Sequence, residues 1–476
     1  MYSTKLFALF LTLSAYEFNR FAKYLASPYF NEQDVLIHLL SLLKTEIERF
    51  HKNNTAQIAE KQAIWAVLYP EKPFDNTVFN RLTSALKDHV ECFLIIEHQK
   101  SNPVGQSLAL LEVLQTRKLD DVFQREQQET QRKLALAAPK SLAIYTQTWL
   151  LHDRIDLQAD TATKRAPDTN VVQAAAELDL LFMAQKLRYA CNAYNYTRIF
   201  KKELPMEGID FLLEWLPKSP YFAVPLIQLY HVIYRMLVAQ TELNIDEADA
   251  LYYQLVSLLA EYEQEITPAD RYDFYTFATN YCIRAINHGK TEFNKHLFEL
   301  YERMAAKGIF DQAGELSPWH YKNAVKLALR LPDFSKALEF ANQHKHKLPT
   351  EHAKNLTLYC NALIGFAKKN YNEVCHILMS KTLQDDAYYG LDVRVLLLKT
   401  YYLQQYETAF DSLVHSTKVY LHREKQIGAD SKKQFGNFIK YIAQLFYINN
   451  EKATLLRAKI EAESKVADKN WLLEQL

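Results

Sequence analysis

Glycine and proline are scarce in this chain, with 9 Gly and 14 Pro among 476 residues, about 5% together where globular proteins usually carry ~12%. So few turn formers exclude a protein of many short strands and leave helix as the dominant element. The same shortage removes most glycine-rich phosphate loops. No Walker loop, dinucleotide fingerprint, H-E-x-x-H or G-x-S-x-G is present. An excess of one charge is also lacking: Lys+Arg and Asp+Glu total 56 each, so no global field draws in DNA, RNA or anionic lipid. The five cysteines form no C-x-x-C pair and are odd in number. They suggest neither a zinc site nor a disulfide framework, and they fit a reducing compartment, so a cytoplasmic location is expected. No apolar run reaches the ~18 residues of a membrane span.

What is present is core material. Apolar residues make up 49% and charged residues 24%, and the length is about three times the ~150 residues of one domain, which implies several domains or one repeat array. Residues 6–13 read either as a packed first helix or as an export signal. The packed helix is preferred, because Ser14 and Glu17 fit the capping box S-x-x-E and Phe18, Phe21, Ala22 and Leu25 follow at helical spacing. Further helices are expected at about 33–50, 59–68 and 76–97, the last capped by Asp75 or Asn76. After a break at Asn102-Pro103-Val104-Gly105, helices are expected at 107–116, 119–137 and 141–160. Residues 160–170 lack an apolar period and read as a linker before a long helix at 171–200.

From about residue 270 a repeat emerges. Phe293, Phe334, Tyr371 and Tyr406 each open a helical run, 41, 37 and 35 residues apart. Each is preceded by an apolar helix, at about 271–287, 318–330, 351–368 and 387–404. Small residues, Ala324, Ala328, Ala337, Ala362, Gly365 and Ala409, permit close helix approach. This period resembles the ~34 residues of tetratricopeptide repeats. The segments from Tyr321 to Ala328 and from Leu358 to Gly365 keep only the size pattern of that family's first helix. The resemblance implies helix pairs that bury their faces on one another in a superhelix.

Across its length the chain also resembles an uncharacterised helical family of Bacteroidota proteins, one without an assigned activity. The residues that carry this are Phe18-Asn19-Arg20-Phe21, Ser27-Pro28-Tyr29-Phe30-Asn31, Trp65 to Pro70, Phe74-Asp75, Lys186-Leu187-Arg188-Tyr189-Ala190-Cys191, Pro220-Tyr221-Phe222, Leu229-Tyr230 and Trp471-Leu472-Leu473. The resemblance implies an all-helical fold and supplies no catalytic residue.

No cofactor, metal or catalytic group is expected. His344 and His346 lie two apart, and His415 and His422 seven apart, so neither pair presents two imidazoles at the i, i+4 spacing that suits one metal. Both read as surface histidines. Asp385-Asp386 reads as a helix cap. If the helix pairs stack in tetratricopeptide fashion, their first helices line a groove. The expected groove residues are Trp319, Lys322, Lys326 and Arg330, then Tyr359 and Phe366, then Arg394, Leu398 and Tyr401. A basic, aromatic surface of that kind suits a peptide with carboxylates and an apolar anchor. The competing reading has the lysines solvated and the aromatics internal.

The expected fold is therefore all-α: an N-terminal helical module (1–100), connecting helices and linker (101–165), and a tetratricopeptide-like α-α superhelix (166–476, clearest over 270–425) with C-terminal capping helices. The expected function is non-enzymatic interaction or scaffolding with a partner protein or peptide, an acidic one suiting the basic groove. The alternatives are a DNA-binding regulator acting through the N-terminal module, where Arg81 and Lys87 are the obvious basic contacts, and an enzyme with an unfamiliar site.

Overall fold

A computed structural model describes residues 5–53, 61–161, 170–200, 204–241, 244–312, 314–331, 334–379, 383, 389–423 and 429–476. These are helical almost throughout. The chain divides into two compact units, Met1–Gln185 and Lys186–Leu476.

The first unit holds α1 (Lys5–Thr12), α2 (Ala15–Leu25), α3 (Asp34–Asn53), α4 (Lys61–Leu68), α5 (Asn76–Lys100), α6 (Pro103–Thr116), α7 (Asp120–Leu136) and α8 (Leu142–Thr161). The capping box forms as expected. Ser14 Oγ accepts from the Glu17 amide at 3.2 Å, and Glu17 Oε2 accepts from the Ser14 amide at 2.8 Å. Leu6, Phe7 and Phe10 of α1 are buried with Phe21, Leu86 and Phe93, so residues 6–12 form a packed helix because their apolar face has a core to enter. The long helix α5 is the hub on which α1, α2 and α3 pack. Asp75 starts it, accepting from the amides of Thr77 and Val78. Asn102 caps α6 through the Gly105 amide at 2.9 Å. Helices α6, α7 and α8 then close a second cluster around Leu111, Phe123, Leu134 and Leu151.

The division between the units falls inside α9 (Asn170–Phe200). Asp160 and Thr161 end α8 and Asn170 begins α9, while the rest of the expected linker, 162–169, lies outside the described residues.

The second unit continues with α10 (Ile209–Trp215), α11 (Pro225–Thr241), α12 (Ile245–Glu261), α13 (Pro268–Asn287), α14 (Phe293–Ala306), α15 (Pro318–Ala328), α16 (Ser335–His344), α17 (Thr350–Ala367), α18 (Tyr371–Leu378), α19 (Gly390–Gln404), α20 (Glu407–Arg423), α21 (Ala429–Phe446), α22 (Asn450–Ala462) and α23 (Lys469–Glu474). Its organisation is pairwise. Helix α11 packs on α12, α13 on α14, α15 on α16, α17 on α18 and α19 on α20. Each pair also packs on the next, through α12 with α13, α14 with α15, α15 and α16 with α17, and α18 with α19. A two-residue antiparallel ladder, β1 (Asp311–Gln312) with β2 (Glu315–Leu316), turns the chain between α14 and α15.

The repeated aromatic stands at the start of each second helix, though it does not do the same job each time. Phe293 is buried, whereas Phe334 and Tyr406 are exposed. Among the small residues Ala324, Ala328, Ala337 and Ala362 are fully buried, whereas Ala409 is only partly buried. A Cβ on Gly365 would sit 3.2 Å from Val374 Cγ2, so α17 and α18 meet there at a distance that leaves little room for a side chain. His344 corrects the surface reading. It is 4% exposed, with its ring 4.6 Å from Phe340, because the apolar face of α16 turns inward at that position. His346, His415 and His422 are exposed. Asp385-Asp386 lies outside the described residues.

Candidate functional site

The spacing of Lys322 and Lys326 puts both ammonium groups on one face of α15. That face looks into the unit. Lys322 Nζ lies 2.7 Å from Asp392 Oδ2 and Lys326 Nζ 3.4 Å from Asp392 Oδ1. The carboxylate comes from the first turn of α19. Aromatic rings complete the cluster: Lys322 lies 4.4 Å from the Trp319 ring centroid and 5.7 Å from that of Tyr389, and Lys326 lies 5.9 Å from that of Tyr359. Tyr359 and Tyr389 stack with centroids 6.3 Å apart.

Burial alone would raise the Asp392 carboxyl, but the adjacent Lys326 and Lys322 ammonium groups outweigh that and hold it below its ordinary range. Burial dominates at the neighbouring thiol and pushes Cys360 up to about 12. It likewise raises the Tyr359 hydroxyl well above its usual value.

A second enclosed cation lies further along α19. Lys399 is 8% exposed and pairs with Asp468, and its Nζ lies 5.0 Å from the Trp471 ring centroid. Burial lowers the amine below its ordinary value although Asp468 works against it. Arg394 lies 4.7 Å from the Tyr420 ring centroid. Helix α19 therefore carries charges on an element buried from Val393 to Tyr401.

The residues expected to line the groove differ in exposure. Lys322, Tyr359, Arg394, Leu398 and Tyr401 are buried, and Phe366 is partly buried. The five buried side chains present little surface to solvent, and Phe366 keeps part of its ring exposed. Trp319, at 61% exposed, and Arg330 remain on the surface, and Lys326 keeps part of its side chain in solvent. The structure thus brings Trp319, Lys322, Lys326 and Tyr359 together. It separates Arg394 from them by engaging it with Tyr420.

Sequence reasoning missed Asp392. The available signal was a lone carboxylate opening Leu391-Asp392-Val393-Arg394-Val395-Leu396-Leu397-Leu398-Lys399. Charges in so apolar a stretch need partners inside the protein.

In the first unit, Arg81 is exposed, while Lys87 is engaged by Asp88 at 2.7 Å and Glu91 at 3.4 Å. Among the described residues no group of three or more His, Cys, Asp or Glu is placed to hold a metal ion, and no helix is long and apolar enough to cross a membrane. Compared with protein-family models, with curated proteins and with solved structures, the chain matches none.

Proposed function

We propose that this chain is a cytoplasmic, non-enzymatic interaction or scaffold protein. In this reading its helix pairs stack as a tetratricopeptide-like solenoid that holds a partner protein or peptide, and the chain belongs to the helical Bacteroidota family it resembles. The observation that carries the reading is the packing of successive pairs in chain order from α11–α12 to α19–α20. Hairpins that bury their faces on their neighbours leave an extended outer surface, and such surfaces serve recognition. Asp392 already balances the buried Lys322, which narrows the expectation of an acidic partner to Lys326, whose side chain is 39% exposed, and to the surface residues beside it. Partner contact then falls to the surface members, Trp319 and Arg330, residue types that dominate binding energy at interfaces.

The test is affinity purification with mass spectrometry from the native cell, using the full-length protein and its Trp319→Ala, Arg330→Glu double variant. The expected result is a protein partner retained by the wild type and depleted about tenfold or more by the variant. An identical captured set, or no retained protein, contradicts the proposal.

A further inference from the structure

In the second unit, the end of α9 and helices α10, α11 and α12 enclose a cleft of about 320 Å³, lined by Tyr194, Asp210, Leu213, Tyr234, Arg235 and Glu247 among others. Tyr194 and Tyr234 meet edge to face with centroids 5.8 Å apart, and both are partly open to solvent. One pair of lining charges is neutralised: Arg235 Nη2 lies 2.6 Å from Glu247 Oε1, and Glu247 Oε2 also accepts from Asn244 Nδ2 at 2.7 Å. Asp210 differs. It is exposed and has no ion-pair partner among the described residues. Burial raises the Tyr234 hydroxyl above its ordinary value and the Asp210 charge adds to that, so carboxylate and ring act on one another.

The surroundings have the same character. Phe211 is 73% and Trp215 40% exposed, and residues 201–310 carry 16 Asp+Glu against 10 Lys+Arg. A carboxylate without a partner beside two tyrosine rings attracts a cation, through its charge and through the negative ring faces. Guanidinium meets both demands, because its plane stacks on a ring while its fork donates to the carboxylate; ammonium offers only a point charge.

We infer that this cleft receives an arginine side chain from a basic segment of a protein partner. The inference rests on the interaction reading above and adds a docking surface away from Trp319 and Arg330.

The experiment is fluorescence anisotropy of the full-length protein with a labelled peptide of alternating glycine and arginine, and with its lysine counterpart. The arginine peptide binds more tightly than the lysine peptide. Asp210→Asn weakens it about fivefold to tenfold, while Asp246→Asn, an exposed carboxylate on α12 outside the cleft lining, leaves it unchanged. Absence of binding by the wild type, equal binding of the two peptides, or equal weakening by the two variants overturns the inference. The titration reads the cleft alone, so its failure leaves the capture experiment on Trp319 and Arg330 free to succeed.

Discussion

Replacing Asp392 by alanine destabilises the second unit by about 3–5 kcal/mol, the usual cost of leaving a buried charge without its partner. Lys322 bears that cost. Its side chain is 5% exposed and nearly cut off from water, whereas that of Lys326 is 39% exposed and already in contact with solvent. The double variant Lys322→Met, Asp392→Leu recovers most of the loss, because two apolar side chains need neither hydration nor each other's charge. Urea unfolding of the full-length protein measures both. Equal stability of single and double variants would show that Asp392 acts by shape and not by charge.

The second large effect is loss of stability in mild acid. His231 is 4% exposed with its ring edge to face on Phe222 at 5.1 Å. Burial, reinforced by Arg235, lowers it to about 4 from an ordinary 6.5. The folded state therefore binds fewer protons than the unfolded chain between those values. The stability linked to His231 is complete above pH 6.5 and falls away as the pH drops towards 4, a loss of about 3 kcal/mol. Burial lowers His320 and His344 as well, in the same direction. The Asp392 ion pairs survive across this window, because that carboxyl titrates below its ordinary 3.8. His231→Phe keeps a ring against Phe222 and removes an Nδ1 that has no hydrogen-bond partner among the described residues, so its stability varies less with pH. An unchanged pH slope in that variant would assign the acid sensitivity elsewhere.

Much of the architecture was legible because it rests on local rules. The Ser14–Glu17 box, the Asp75 cap and the buried alanines of α15, α16 and α17 all follow from residue type at a helical position, whereas Asn102-Pro103-Val104-Gly105, read as a break, turns out to be the cap and first turn of α6. The aromatic landmarks at Phe293, Phe334, Tyr371 and Tyr406 marked where second helices begin. They could not say which aromatics are buried, since a helix start does not determine which way its first side chain faces. The pair α11–α12 escaped the repeat because its second helix opens at Ile245, without an aromatic landmark.

The burial of particular charged residues escaped the sequence for a related reason. Lys322, Arg394 and Lys399 look like surface residues to any rule that scores charge alone. Their burial depends on Asp392, Tyr420 and Asp468, which lie 70, 26 and 69 residues away. A pairing over such distances is set by the stacking of helices, and no local pattern encodes it. The one clue was compositional: apart from its few charges, α19 carries apolar residues on every side, and a helix of that kind belongs inside.

Hydrogen–deuterium exchange of the intact protein tests the central claim, that α19 is an interior element tied to α15 through Asp392. Peptides covering 390–401 are expected among the slowest to exchange, and Asp392→Ala is expected to speed exchange in both α19 and α15. Fast exchange of 390–401 in the wild type, or acceleration confined to α19, would contradict the account.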